Sequence, residues 1–148
     1  MIRATSLVHD HGPAADTVTL TWEDRFRRRM AMTGDKGTRF LLDLPETVEL
    51  RHGDRLRLES GATIEVRAAP EALMEAQARD PLHLARTAWH VGNRHLPCEL
   101  RADRIVLRED HVIAEMLEHL GCRVSRTTGP FTPEGGAYGA GRTHGHDH

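Results

Sequence analysis

From Thr17 to Trp22 β-branched and apolar residues alternate, and Arg39 to Leu44 (RFLLDL) has the composition of a buried strand. Between them Gly34-Asp35-Lys36-Gly37 supplies a turn, and Pro45 is expected to stop the second strand. Asp54 to Val66 (DRLRLESGATIEV) is the clearest hairpin. There Leu56 and Leu58 alternate with arginines, Ser60-Gly61 makes the turn, and Ile64 and Val66 continue on the return strand. The first half therefore reads as mostly β, with Ala68-Ala69-Pro70 as the boundary to the second half.

Beyond Pro70 the pattern becomes mixed. Asp80 is placed to cap a helix whose first residue is Pro81, with Leu82, Ala85 and Trp89 on one apolar face and Gly92 as the stop. Two short strands, Cys98 to Arg101 and Ile105 to Arg108, flank an Ala102-Asp103 turn. A second helix starts from the cap Asp110, and Val112, Ile113, Met116, Leu117 and Leu120 form a stripe that ends at Gly121. Glu71 to Ala78 (EALMEAQA) consists of helix formers, yet a strand there, paired with another at Arg123 to Ser125, would complete a βαββαβ unit. Periodicity leaves both readings of that segment open. From Thr127 onward glycine, threonine and proline dominate, and little packing content remains after Phe131.

Composition narrows the function classes. The 148 residues suit one ordinary domain or two small ones, and 39% apolar content fills modest cores. A formal charge of -2 with 28% charged residues implies neither a nucleic-acid-binding surplus nor acidic disorder. The run Arg25-Phe26-Arg27-Arg28-Arg29 is expected to be a solvated edge strand, with no nucleic-acid partner. Cys98 and Cys122 lack CxxC spacing, and no apolar run is long enough to cross a membrane, so a reduced cytoplasmic setting without membrane attachment is expected. No GxxxxGK[ST], HExxH or GxSxG motif occurs, and GGAYGAG near the end is low-complexity sequence, so no catalysed reaction is expected.

Histidine departs from ordinary usage. There are 11, three of them in the closing HGHDH. His144, His146 and His148 alternate, so they can turn toward one cation, and neutral imidazole suits nickel, copper and zinc. His9-Asp10-His11 has similar spacing but reads as plain surface. His95 follows the first helix and a Gly92-Asn93-Arg94 turn and precedes Pro97. One imidazole holds a metal weakly, whereas in a symmetric dimer a His95 near the twofold axis would count twice. His90, in the helix's last turn, reads as a packing or hydrogen-bonding residue, and both cysteines read as buried and inert. His111, beside Glu109 and Asp110, is an accessory ligand candidate, although Asp110 is explained by capping alone.

Several stretches together resemble the urease accessory proteins of the UreE family, which are nickel metallochaperones. They are DRFRRRMAMTGDKGTRFLLDLPE at 24 to 46, LRHGDRLRLESG leading to IEVRAAPE at 50 to 71, DPLHLARTAWHVGNRHLP at 80 to 97, DHVIAEMLEHLG at 110 to 121, and GPFTPEGGAYGAG with its histidine tail. GNRHLP and PF.PE.GAY with terminal histidines are specific in combination.

The resemblance implies an α+β chain in three parts. Residues 1–70 would form an all-β domain like the peptide-binding domains of certain chaperones, and 71–134 a ferredoxin-like βαββαβ domain for metal binding and dimerisation. Residues 135–148 would form a flexible histidine-containing tail. On this reading Glu71 to Ala78 is a strand. The resemblance further implies a homodimer, with pairing of dimers through metal as an extension, and places the family's metal histidine on His95. His144, His146 and His148 would complete the coordination, with His111 as an accessory ligand where some relatives carry a histidine pair and this chain has Glu109. The implied cargo is Ni(II), with Zn(II) or Cu(II) as possible substitutes in vitro. The implied partners are the urease accessory GTPase, apo-urease and its accessory complex. The competing expectation is a non-catalytic peptide-binding module with incidental metal affinity. An all-imidazole site should weaken as pH falls through about 6.5, the ordinary histidine value.

Overall fold

The computed structural model describes residues 1–135. They divide into two compact units, Met1–Ala69 and Pro70–Glu134.

The first unit is β apart from one helical turn. Its elements are β1 (Arg3–Val8), β2 (Asp16–Leu20), α1 (Trp22–Arg25), β3 (Phe26–Thr33), β4 (Arg39–Glu49), β5 (Arg55–Leu58) and β6 (Thr63–Ala68). They form one sheet in the order β2-β6-β5-β1-β4-β3. β1 runs parallel to β4 and β2 parallel to β6, while the β5–β6 hairpin is antiparallel, as its alternation predicts. Gly61 takes φ +91 in the hairpin turn, a conformation that suits a residue without Cβ. The core gathers Val18, Phe40, Leu42, Leu56, Ile64 and Val66, inward positions of these strands, with Leu50 just past β4.

Three expectations change in this unit. The strand predicted to run to Trp22 ends at Leu20, and α1 follows it. Pro45 does not stop β4: the register jumps from Arg29 opposite Asp43 to Arg27 opposite Val48, and the exposed proline lies in that irregular stretch, where no ladder N–H is needed. The basic run is not uniformly solvated. Arg27, Arg28 and Arg29 are exposed on the edge strand β3, as expected. Arg25 is fully buried, and its Nε and Nη1 donate to the carbonyls of Leu20 and Leu50, both at 3.3 Å. A buried guanidinium holds its place only when its donors are met.

Asp16 is another buried charge with a structural task. It accepts from the backbone N–H groups of Thr17 at 2.7 Å, Lys36 at 2.9 Å and Thr38 at 3.2 Å, which ties β2 to the β3–β4 turn. Burial alone would raise its carboxyl. The Thr38 hydroxyl and these N–H groups together outweigh that and hold it below the usual carboxylate range. A Cβ on Gly34 would collide with this carboxylate, so the turn requires glycine there.

The second unit contains β7 (Pro70–Gln77), α2 (Pro81–Asn93), β8 (Glu99–Leu100), β9 (Arg104–Arg108), α3 (His111–His119) and β10 (Arg123–Pro130). The sheet order β10-β7-β9-β8, antiparallel throughout, is the ferredoxin-like βαββαβ arrangement that the resemblance implies. β7 is a strand despite its helix formers, because it is an inner strand bonded on both sides and buries Leu73, Met74 and Ala76. Tertiary pairing outweighs intrinsic propensity. β10 runs to Pro130, beyond the predicted Ser125, so Thr127 to Pro130 are strand rather than tail. Phe131 is fully buried after it.

α2 starts as predicted, with Asp80 Oδ1 accepting from His83 N–H at 2.7 Å and Pro81 as its first residue. Its predicted inner face is the outer one. Leu82 is 59% and Trp89 64% exposed, whereas His83, Thr87 and Val91 are buried. Two polar residues point inward because their hydrogen bonds are satisfied there. His83 Nδ1 accepts from Arg79 N–H at 3.0 Å, and its Nε2 lies 2.7 Å from the Leu120 carbonyl, joining α2 to the end of α3. The Thr87 hydroxyl donates to the His83 carbonyl at 2.8 Å. On α3 the predicted stripe holds at the buried Leu117 and the partly buried Ile113 and Met116, but Val112 is 63% exposed.

Candidate metal centre at the end of α2

Both helices of the second unit close with the same hydrogen-bond pattern. At the end of α3, Gly121 N–H donates to Glu118 O at 2.9 Å and Cys122 N–H to Leu117 O at 3.0 Å. At the end of α2, His95 N–H donates to Gly92 O at 3.0 Å and Leu96 N–H to Val91 O at 3.2 Å. Each is a Schellman closure, which needs one residue in the left-handed region just past the cap. In α3 that residue is Gly121, at φ +94; in α2 it is His95, at φ 58, the one non-glycine residue with positive φ among the described residues.

Gly92 therefore does not stop the helix. It lies inside the last turn, Asn93 ends the helix, and Arg94 is the cap. Leu96 packs against the core cluster that contains Val91, the apolar contact that accompanies this closure. Left-handed backbone costs an L-residue about 1–2 kcal/mol relative to the usual regions. The position is one where glycine would be the economical choice, and the chain has an imidazole there. His95 is exposed, and its ring has no hydrogen-bond partner among the described residues.

The other candidates are placed differently. His111 is the first residue of α3 and lines a cavity of about 320 Å³ with Glu109, Glu115, Glu118 and Arg126. Its two acidic neighbours in sequence are already committed. Asp110 caps α3, accepting from Val112 N–H at 2.9 Å and Ile113 N–H at 3.1 Å, and Glu109 pairs with Arg126 at 2.9 Å. His9 and His11 are exposed on either side of Asp10, whose carboxylate accepts from Gly12 N–H at 2.9 Å. His90 is half-buried, edge-on to the Trp89 ring with centroids 5.1 Å apart, in line with a packing role. Cys98 is half-buried, and burial first, then the Glu134 and Glu99 carboxylates, push its thiol up to about 11. It is therefore protonated at neutral pH and a poor metal ligand. His144, His146 and His148 lie outside the described residues. Among the described residues no three His, Cys, Asp or Glu side chains are grouped to hold a metal ion.

The chain approaching the tail is pinned close to His95. Thr132 N–H donates to Glu99 Oε2 at 3.1 Å, and Glu134 N–H to the Cys98 carbonyl at 2.8 Å. Residue 134 thus sits beside a position three residues beyond His95. The left-handed cap and this anchor were not read from sequence. The pinned segment had one signal, an isolated Phe131 between Pro130 and Pro133.

Comparison with known proteins settles the family. Residues 2–69 match the N-terminal domain of the UreE urease accessory protein, and residues 71–148 match its C-terminal domain. The chain belongs to the UreE family. A UreE urease accessory protein of Chelativorans sp. (strain BNC1) is 56% identical over 148 residues, covering 100% of this chain and 94% of that protein. The one from Rhodopseudomonas palustris (strain HaA2) is 55% identical over 141 residues, and the match spans 66% of its length. UreE of Ruegeria pomeroyi is 49% identical over 135 residues, with 91% of this chain and 89% of that protein covered. The family resemblance read from GNRHLP and the glycine-rich segment before the tail is borne out, and with it the βαββαβ unit.

Proposed function

We propose that this chain is a nickel-binding metallochaperone that captures Ni(II) and delivers it for assembly of the urease metallocentre. The observation that carries this reading is His95, an exposed imidazole without a partner, held at a left-handed helix cap where glycine fits best. Strained backbone persists where the side chain it presents is used. One imidazole is not a site, and no grouped ligands exist among the described residues, so the remaining donors come from outside them. A second subunit supplies a second His95 across a twofold axis. Trp89, 64% exposed six residues before His95, adds apolar surface to the same end of α2.

The tail histidines complete or hand over the coordination. His144 is ten residues beyond the anchored Glu134 (144 − 134), at most about 35 Å of extended chain, so its covalent reach includes His95. Nickel would be taken up by His144, His146 and His148, held between paired His95 rings, and passed by ligand exchange. The receiving partner is the urease accessory GTPase, within a complex that includes apo-urease, and pairs of dimers can share further metal. The chain catalyses no reaction and works in the cytoplasm. Among the described residues no helix is long and apolar enough to cross a membrane. Zn(II) and Cu(II) suit the same donors in vitro.

Calorimetric titration with nickel tests the reading. His95→Ala should lose the tight site, and deletion of 143–148 should weaken or reduce binding while keeping it. Retention of the tight site in His95→Ala refutes the proposal.

A further inference from the structure

We propose that the cavity beside α2, at its N-terminal half, binds the phosphate group of a small molecule between the guanidinium groups of Arg79 and Arg86. The cavity measures about 220 Å³ and is lined by Arg79, Asp80, His83, Arg86, His90 and Leu120. Among the described residues neither guanidinium has an ion pair or a hydrogen-bond partner, in contrast to Arg126, which meets Glu109 at 2.9 Å. From Pro81 to Cys98 the sequence contains no carboxylate. The one carboxylate in the lining, that of Asp80, is committed to capping α2 through His83 N–H.

The remaining walls are fixed and open in the right places. His83 is 6% exposed, with both ring nitrogens engaged, so it forms a rigid floor. Gly121 adjoins two of the lining residues: a Cβ there would stand 3.4 Å from the Arg79 guanidinium carbon and 3.4 Å from His83 Nε2. The Arg79 head therefore lies against this glycine and beside the His83 ring. His90, on the same side of α2 as Arg86, offers a ring nitrogen as a third group.

Chemistry favours phosphate over carboxylate. A guanidinium presents a planar fork that takes two oxygens of one group. A carboxylate has two oxygens and is satisfied by one fork, whereas a phosphate monoester has three terminal oxygens and can occupy two. The site takes orthophosphate or the terminal phosphate of a nucleotide by the same contacts.

The test is calorimetry on the full-length chain at constant ionic strength, with orthophosphate in one arm and a nucleoside diphosphate in the other. NMR shifts of the Arg86 and His90 side chains serve as a local readout. The expected result is saturable binding with Kd of about 1 mM or tighter. Arg86→Ala and the double variant Arg79→Ala/Arg86→Ala should weaken it by about tenfold or more, the loss of roughly 1.4 kcal/mol. These changes leave intact the backbone N–H of Arg79 that His83 uses. A control removing two other exposed arginines, Arg39→Ala/Arg57→Ala, should bind as the unaltered chain does. Tighter binding of the nucleotide assigns it as the source, and equal binding assigns free phosphate; both support the site. Absence of saturable binding, or equal weakening in the control, overturns it.

Discussion

Replacing His95 by glycine separates what its backbone does from what its ring does. At φ 58 the position costs an L-residue about 1–2 kcal/mol, which glycine does not incur. Against this, glycine adds about 0.4–1 kcal/mol of unfolded-chain entropy. The net expectation is a gain of about 0.5–1 kcal/mol for the second unit. For a unit of this size that corresponds to a rise in Tm of roughly 2–8 °C. Both closing hydrogen bonds use backbone groups of Gly92, Val91, His95 and Leu96, so the substitution preserves them. His95→Ala keeps the strain and removes the ring, so its stability should stay near that of the parent while its metal binding matches that of His95→Gly. The assay is thermal melting followed by circular dichroism in the presence of a chelator, alongside nickel titration of both variants. A His95→Gly protein that melts lower by the equivalent of 1 kcal/mol or more, or that keeps tight nickel binding, refutes the idea that function holds histidine in a glycine position.

Two other expectations come from charge and burial. Asp16 has its folded carboxyl held below the unfolded value of about 3.9, so its stabilisation is fully present above that pH and is lost as pH falls through the lower folded value. Asp16→Asn should be less stable at pH 7 and lose less on acidification from about pH 4 to 2; an unchanged acid limb in urea titrations contradicts this. Cys98, with its thiol at about 11, should react with iodoacetamide at pH 8 about two orders of magnitude more slowly than a free cysteine. Mass spectrometry of alkylation with time checks this, and a rate near that of free cysteine is the contrary result.

What could be read from the sequence depended on whether local chemistry and tertiary context agreed. The β5–β6 hairpin was legible because alternation and Gly61 indicate the same turn. The order of the second unit was legible from its caps, Asp80 and Asp110. β7 was not legible by propensity, since only its place between β9 and β10 makes it a strand. The faces of α2 were reversed for a related reason. His83 and Thr87 look solvent-facing until the Leu120 carbonyl, the Arg79 N–H and the His83 carbonyl are seen to satisfy them. Arg25 looked like part of a surface run because the carbonyls that receive it belong to Leu20 and to Leu50, which is 25 residues away in sequence. At the candidate site, His95 was picked out by its neighbours Gly92 and Pro97, but its left-handed backbone was hidden because turn rules expect glycine there.

The proposed function depends above all on one nickel ion shared by two copies of His95. Bound nickel per chain, measured together with solution mass by metal analysis and light scattering on the same chromatographic peak, tests this most directly. The expected result is a dimer carrying about one tight nickel per two chains, with that nickel lost in His95→Ala while the dimer persists. A monomer that holds a full equivalent of tight nickel, or a dimer whose nickel is unaffected by His95→Ala, would contradict it.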